Sequence, residues 1–390
     1  MPRTDTFWRR LSIGCMLAVL ALATIGCVWW SGRDIHQAIE VTIALLVVTC
    51  PCAIGLAVPL AREVTCAALR RRGIFLRKGG FLERARQVRK ILFDKTGTLT
   101  SGRLLVSDAG RRALRDLDPA DRSTLRAMTA CSNHPVSAAL QRALQDSEES
   151  VPGAARDQIE EHAGRGISWP RDGHEYRLGK ASFAGVGGAP EHVCFSKDGI
   201  ELARFELEEE LPAGAEEEIA ALERSGYEVH LLSGDRPERV AAARARLGLP
   251  SERAAAGLSP EAKAERVRAL DDHDTLMVGD GLNDTLGLDS ALAAATPAVH
   301  HGAISARSDF YYHGDGIASV RWTLLAAARM HRVIRDNLWL ALAYNAIVVG
   351  LCLTGHVRPV TAAILMPISS SGFVILTTLR LSERRFGWTS

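Results

Sequence analysis

The chain of 390 residues carries almost no net charge, because 47 basic side chains against 45 acidic ones leave +2. So weak a field gives no pull toward a nucleic-acid backbone, and no nucleic-acid partner is expected. There is no internal repeat with a period of roughly 20–50 residues and no low-complexity tract, which excludes solenoids and biased linkers. Cysteine is present but badly placed for disulfides. Cys15, Cys27, Cys50, Cys52 and Cys352 lie in apolar runs, and Cys66, Cys131 and Cys194 fall where the charge pattern puts the cytoplasm. A reducing compartment keeps such thiols free.

What the chain does have is apolar blocks at both ends and a charged middle. Four stretches approach the roughly 20 apolar residues that cross a bilayer: Leu11 to Trp30, about Ile39 to Leu60, about Leu338 to Thr354, and Val360 to Leu379. The first could be read as a signal peptide behind Arg9 and Arg10, but a second apolar run follows closely and makes a helical hairpin the better reading. Basic clusters at Arg9/Arg10, Arg70–Arg72 and Arg380/Arg384/Arg385 set the orientation by the positive-inside rule. A multi-pass protein of a bacterial-type inner or plasma membrane is expected, with its soluble domains in the cytoplasm and the lipid bilayer as a partner.

The middle region alternates strand and helix signals. Ile91-Leu92-Phe93, Val229 to Leu232 and Leu276-Met277-Val278 are short buried-strand patterns, each ending in a polar motif. Helical stretches Ala213–Arg224, Pro237–Leu247 and Pro260–Leu270 lie between them. That alternation predicts a parallel, doubly wound α/β sheet whose chemistry collects at the carboxyl ends of its strands. From Leu104 to Leu211 short β-like runs such as Glu201–Leu207 mix with glycine turns, the pattern of an inserted α+β domain. The expected division is a membrane hairpin over 1–75, a sheet domain over 76–103 and 212–320, the insert over 104–211, and a second hairpin over 321–390.

The strongest local signal is Asp94-Lys95-Thr96-Gly97-Thr98. A carboxylate at a strand end, followed by a tight glycine turn, can attack a phosphoryl group and form an aspartyl phosphate. Positioned donors and a metal must then hold the developing charge. Ser233 offers a hydroxyl and a backbone N–H for that task, and Lys263 a cation. Asp280 and Asp284 offer oxygens to magnesium. Each residue alone has a bland reading as a turn aspartate or a solvated lysine; it is their joint order at strand ends that argues for chemistry.

With these motifs the chain resembles the P-type ATPases of the haloacid-dehalogenase superfamily. Their DKTGT stands here as Asp94–Thr98 and their GDGxND as Gly279–Asp284. The usual TGD appears as Ser233-Gly234-Asp235, which keeps the hydroxyl. The resemblance implies ATP and Mg2+ as cofactors, with Lys95, Thr96, Gly234 and Asp235 around the phosphoryl group and Asp94 and Thr96 joining Asp280 and Asp284 around the metal. Phosphatases of the superfamily carry a second aspartate two residues after the nucleophile. Thr96 stands there, which disfavours a simple phosphatase.

Other motifs resemble the heavy-metal branch of that family. Ser132-Asn133-His134-Pro135 stands where Ser-Glu-His-Pro is usual, implying that His134 packs on adenine beside Pro135. Gly164-Arg165-Gly166 matches the branch's Gly-x-Gly, and Gly179 matches a further nucleotide-binding glycine. Cys50-Pro51-Cys52 is the branch signature: proline kinks a helix and two soft thiols share the kink, which suits Cu(I) and also zinc. Copper pumps add Tyr-Asn and Met-x-x-Ser-Ser, present as Tyr344-Asn345 and Met366 to Ser370, so the resemblance implies Tyr344, Asn345, Met366 and Ser370 beside Cys50 and Cys52 as Cu+ contacts. Met366 as plain apolar filling is the competing reading. The lysine and aspartate of zinc and cadmium pumps are absent from residues 338–354 and 360–379. No Thr-Gly-Glu, the actuator motif, occurs in the sequence. The expectation is therefore an ATP-driven Cu(I) translocase as a truncated or split pump, with a copper chaperone and a separate actuator chain as further partners. A metal-binding pseudo-pump or regulatory membrane protein is the alternative.

Overall fold

The computed structural model describes residues 3–48, 52–100, 103–144, 158–187, 192–280, 284–298, 307–313 and 316–381, with side chains at all of these except 3–13, 15, 16, 48, 52–57 and 370. In chain order, α1 (Arg3–Ser31), α2 (Ile35–Val48) and α3 (Cys52–Arg71) precede β1 (Ile74–Leu76), the short α4 (Phe81–Arg84) and β2 (Lys90–Asp94). Next come β3 (Leu104–Val106), α5 (Asp108–Asp116), α6 (Pro119–Ala130) and α7 (Pro135–Ala143). Strands β4 (Glu160–His162), β5 (Gly166–Arg171) and β6 (His174–Lys180) lead through α8 (Ala181–Ala184) to β7 (Val193–Lys197), β8 (Ile200–Phe205) and β9 (Leu207–Glu209). Then α9 (Ala215–Arg224), β10 (Glu228–Leu232), α10 (Pro237–Arg246), β11 (Ala254–Ala255) and α11 (Pro260–Leu270) follow. The chain finishes with β12 (Thr275–Val278), α12 (Thr285–Ser290), β13 (Ala293–Pro297), β14 (Phe310–Tyr312), α13 (Ile317–Leu353) and α14 (Pro359–Arg380).

Two compact units form. The first comprises Met1–Phe93, Glu216–Leu232 and Leu258–Ser390. Its sheet runs in the order β1-β14-β13-β12-β2-β10, with β14, β13, β12 and β2 joined in parallel. Ile91, Leu92 and Phe93 lie in register with Leu276, Met277 and Val278, and all six are buried. Uninterrupted apolar triplets are what a parallel sheet covered on both faces selects. Strand β1 departs from the expected all-parallel pattern: it pairs antiparallel with β14 at the edge, Phe75 stacking on Tyr311.

The same unit holds the apolar helices. α13 and α14 are long and apolar enough to cross a membrane. With 37 residues α13 is about 55 Å long, well beyond a hydrocarbon core of ~30 Å. It starts at Ile317 rather than near Leu338, because Val320, Leu324, Ala327 and Met330 extend a buried stripe at helical spacing. Over the expected second span, Ile39 to Leu60, the described residues are helical, to Val48 in α2 and from Cys52 in α3. Residues 49–51 lie outside the described residues. Ala23, Val41, Ala44, Leu45, Val348, Cys352 and Ala362 form the core of this bundle. Trp30 Nε1 donates to Leu353 O at 2.9 Å, satisfying a carbonyl that the end of α13 leaves without a helical partner.

The second unit comprises Asp94–Ala215 and Ser233–Gly257. Its sheet is an antiparallel meander, β4-β5-β6-β7-β8. Two-residue turns at Asp172-Gly173 (φ 53° and 78°) and Asp198-Gly199 (φ 50° and 77°) join its hairpins. Paired positive φ values give the turn whose twist matches that of the strands, and Asp-Gly tolerates them. Helices α5, α6 and α7 cover one face through Leu114, Leu125, Met128 and Leu140, packed on Trp169, Phe195 and Phe205. The single β-like run expected over Glu201–Leu207 divides at Glu206, whose carbonyl accepts from Ser107 N; β9 then leaves the meander and pairs with β3.

Candidate functional site

Asp94 closes β2 and is buried. The chain then turns sharply through Gly97 (φ 72°, ψ 0°), a backbone conformation that favours glycine. Thr100 secures the turn, its N–H and its hydroxyl both donating to Lys95 O, at 3.1 and 3.2 Å. Lys95 points inward with only 3% of its side chain exposed. Its Nζ donates to Asp235 Oδ2 at 2.7 Å and to Glu209 Oε2 at 3.1 Å. Burial pushes the Asp235 carboxyl up, but the Lys95 hydrogen bond, the Arg236 backbone N–H and the nearby positive charges outweigh it and hold the group below its ordinary range. Thr96 is exposed.

Ser233 is fully buried, and one expectation for it changes. Its backbone N–H is already spent on Ala255 O at 2.9 Å, a strand-type bond to β11, so it is not a donor for phosphoryl oxygens. The Ser233 hydroxyl oxygen accepts from Asp235 N at 3.1 Å, which leaves its hydrogen as the donor this residue can offer. A cavity of about 710 Å³ borders this cluster, lined by Lys95, Thr100 and Glu209, by Arg236 at the cap of α10, and by Arg239 and Arg246 within it.

The remaining phosphorylation motifs belong to the first unit. Ser259 caps α11 by accepting from Ala262 N at 3.2 Å, which sets Lys263 in the first turns of that helix. Lys263 Nζ meets Asp284 Oδ1 at 2.5 Å, both side chains buried. Burial raises the Asp284 carboxyl, and the Lys263 charge opposes that. Asp284 Oδ2 is buried without a hydrogen-bond partner. Gly279 fits beneath it: a Cβ there would lie 2.5 Å from Oδ2. An orphaned carboxylate oxygen, with Asp280 four residues away in the chain, is the hard oxygen donor set that Mg2+ takes. Residues 281–283, the middle of Gly279–Asp284, lie outside the described residues.

In the insert, His134 caps α7, its Nδ1 accepting from Val136 N at 3.3 Å, and Pro135 occupies the first helical position. His134 is exposed. Gly166 and Gly179 are partners in the β5–β6 register. A Cβ on Gly166 would lie 2.3 Å from Leu178 O, and one on Gly179 would lie 2.3 Å from Arg165 O. The two glycines are thus required by the strand pair itself, whereas Gly164 (φ 70°) faces open space.

Of the expected metal ligands, Cys50 lies outside the described residues, together with Thr49 and Pro51, and Cys52 is the first residue of α3. Tyr344 packs half-buried against the bundle core, and Cys352 is buried inside it. Asn345 on α13 and Met366 on α14 are half-buried, and Ser370 lies on α14. Among the described residues, no three of His, Cys, Asp and Glu gather into a metal-holding group.

Sequence reasoning missed Glu209. The signal was the acidic run Glu206 to Glu210 at the end of the insert, which reads as a solvated face until β9 brings one carboxylate onto Lys95.

The profile of the haloacid dehalogenase-like hydrolases matches residues 88–291. The nitrogen fixation protein FixI of Rhizobium leguminosarum bv. viciae is 36% identical over 375 residues, covering 93% of this chain and 47% of that protein. A copper-exporting P-type ATPase of Mycobacterium tuberculosis is 32% identical over 403 residues, covering 97% of this chain and 51% of that protein. The chain spans about half the length of the curated relatives it matches. Among solved structures, a zinc-transporting PIB-type ATPase in the E2P state superimposes with a TM-score of 0.77 at 25% identity, covering 98% of this chain and 63% of that one. The chain belongs to the haloacid dehalogenase-like hydrolases and, within them, to the CPx-type heavy-metal P-type ATPases.

Proposed function

We propose that these residues form the phosphorylation, nucleotide-binding and metal-path portion of an ATP-driven Cu(I) pump of the membrane. The observation that carries the reading is the buried Lys95, adjoining Asp94 and clamped by Asp235. An Asp94 carboxylate oxygen attacks the γ-phosphorus of ATP, the new O–P bond forms, and ADP leaves with the bridging oxygen. Lys95, the Ser233 hydroxyl and Lys263 are the donors and charges assigned to the phosphoryl oxygens. Asp280 and Asp284, with Asp94 and Thr96, are assigned to Mg2+, which when bound neutralises phosphate charge. Thr96 offers no carboxylate two residues on, so the phosphoenzyme persists long enough to be coupled to transport. The insert over 104–211 is assigned to nucleotide binding through His134, Pro135, Gly164, Gly166 and Gly179. Residues 76–103 and 212–320 are assigned to the phosphorylation domain.

Cu(I) is favoured by the soft donors Cys50, Cys52 and Met366, to which Tyr344, Asn345 and Ser370 are added by assignment, and by the likeness to a copper-exporting mycobacterial relative. Zinc is the second reading, supported by the likeness to a zinc-transporting structure. The chain in detergent, given γ-labelled ATP, Mg2+ and Cu(I) or Zn2+, should acquire an acid-stable, hydroxylamine-labile label that Asp94→Asn abolishes. Label stimulated by Zn2+ and not by Cu(I) replaces copper with zinc, and no label on folded protein defeats the pump reading.

A further inference from the structure

Glu161 lies on β4, the edge strand of the meander, in register with Ile167 of β5. Its side chain is exposed, yet one oxygen is fixed: Oε1 accepts from Ser132 Oγ at 3.0 Å. The Ser132 oxygen in turn accepts the backbone N–H of His134 at 3.1 Å. A single hydroxyl therefore ties the strand edge to the turn on which His134 and Pro135 begin α7. One residue beyond Glu161, His162 leans on Phe183 with ring centroids 5.1 Å apart. Phe183 closes over the Gly166–Gly179 pair, where a Cβ on Gly166 would lie 2.8 Å from its ring. Glu161 is thus a carboxylate with one anchored and one open oxygen, tied through Ser132 to the turn that carries His134 and lying on the strand next to the one that carries Gly166.

We infer that Glu161 reads the base at the nucleotide site assigned to His134, selecting a purine with an amine at the 6-position, adenine, over the 6-oxo purine guanine. The inference rests on that assignment. A carboxylate oxygen is an acceptor only, so it bonds an amine and repels an oxo group. Adenine presents its N6 amine where guanine presents O6. Guanine's other option, a bidentate N1–H and N2–H2 pair, would have to share Oε1 with the Ser132 hydroxyl, which fixes the direction of that oxygen, whereas a single amine needs only the open one. Asn133, next to His134 in the chain, carries no charge, and among the described residues Glu161 is a carboxylate that hydrogen-bonds to this turn.

The test displaces a fluorescent trinitrophenyl nucleotide from the full chain with ATP and, separately, with GTP. It compares the wild type with Glu161→Ala, Glu161→Gln and His134→Ala. The loss of one charge-assisted hydrogen bond predicts roughly tenfold weaker ATP binding in Glu161→Ala with GTP unchanged, so the ATP preference narrows about tenfold. Glu161→Gln, which keeps an acceptor without charge, falls between. If His134→Ala weakens both nucleotides while Glu161→Ala leaves their ratio as in the wild type, the role of Glu161 is overturned and the site stands. If His134→Ala affects neither nucleotide, the site itself is misplaced and the inference fails with it.

Discussion

Lys95 Nζ and Asp235 Oδ2 stand 2.7 Å apart, tying the residue after the proposed nucleophile to the loop that follows β10. The ammonium is almost wholly enclosed, so the carboxylates around it replace the water it has lost. Removing Asp235 leaves Glu209 as a second partner at 3.1 Å. Because Asp235 is itself partly exposed, Asp235→Ala should cost about 2 kcal/mol, below the range for a fully buried pair. Asp235→Ala with Glu209→Ala should cost more than the sum of the singles, since only then is the cation stranded. Urea unfolding of the four proteins checks this, and strict additivity contradicts the shared-cation geometry.

Acid should find the same pair. The folded Asp235 carboxyl lies below its ordinary range, whereas the unfolded one titrates near 3.9. A depressed carboxylate contributes stability that is fully present above its unfolded pKa and is lost as pH falls through the lower folded value. The stability difference between wild type and Asp235→Asn should therefore be level from about pH 5 to 7 and shrink below about pH 4. Denaturation midpoints across that range measure it. A difference that grows toward acid would give the pair the wrong sign.

Much of this organisation is legible in the sequence, for reasons that differ by element. Ile91 to Phe93 and Leu276 to Val278 read as buried strands because both faces of the sheet are covered, so no polar residue interrupts them. Pro260 to Leu270 reads as a helix to the residue, with Ser259 capping and proline at its first position. What pattern cannot carry is pairing between distant segments. Nothing local marks Glu209 as the partner of Lys95, or the Ser233 N–H as already engaged by Ala255, since both depend on where β9 and β11 travel. The antiparallel edge strand β1 is equally silent: three residues are too few for a period. The glycines of the insert were legible as special positions, but the reason for two of them is the close approach of β5 to β6.

The Lys263–Asp284 pair invites a sharper contrast, because both of its side chains are buried. Lys263→Met leaves the buried Asp284 without its neutralising cation, which should cost about 3–5 kcal/mol. Adding Asp284→Asn removes that charge and should recover a good part of the loss, so the double variant is more stable than Lys263→Met alone. Thermal unfolding without Mg2+ reads this directly. With Mg2+ present, Asp284→Asn should raise the concentration needed for half-maximal Asp94 phosphorylation while Lys263→Met lowers the maximal level. If Asp284→Asn leaves the Mg2+ requirement unmoved, the orphaned oxygen has been given the wrong occupant.

The glycine crossing separates folding from binding. Gly166→Ala and Gly179→Ala each drive a methyl to within 2.3 Å of a carbonyl oxygen on the facing backbone, which can yield only by parting β5 from β6. Gly164→Ala meets no atom within 4 Å and bears only the strain of a left-handed φ, about 1 kcal/mol. The first two should therefore lower the melting temperature by several degrees more than the third, and should lose nucleotide binding together with the fold. Gly164→Ala should keep nearly the parent melting temperature, so any loss of ATP affinity it shows belongs to the site. Melting curves and nucleotide titrations on the three variants decide it. A stable Gly166→Ala that fails only in binding would move that glycine from the architecture of the sheet to contact with ligand.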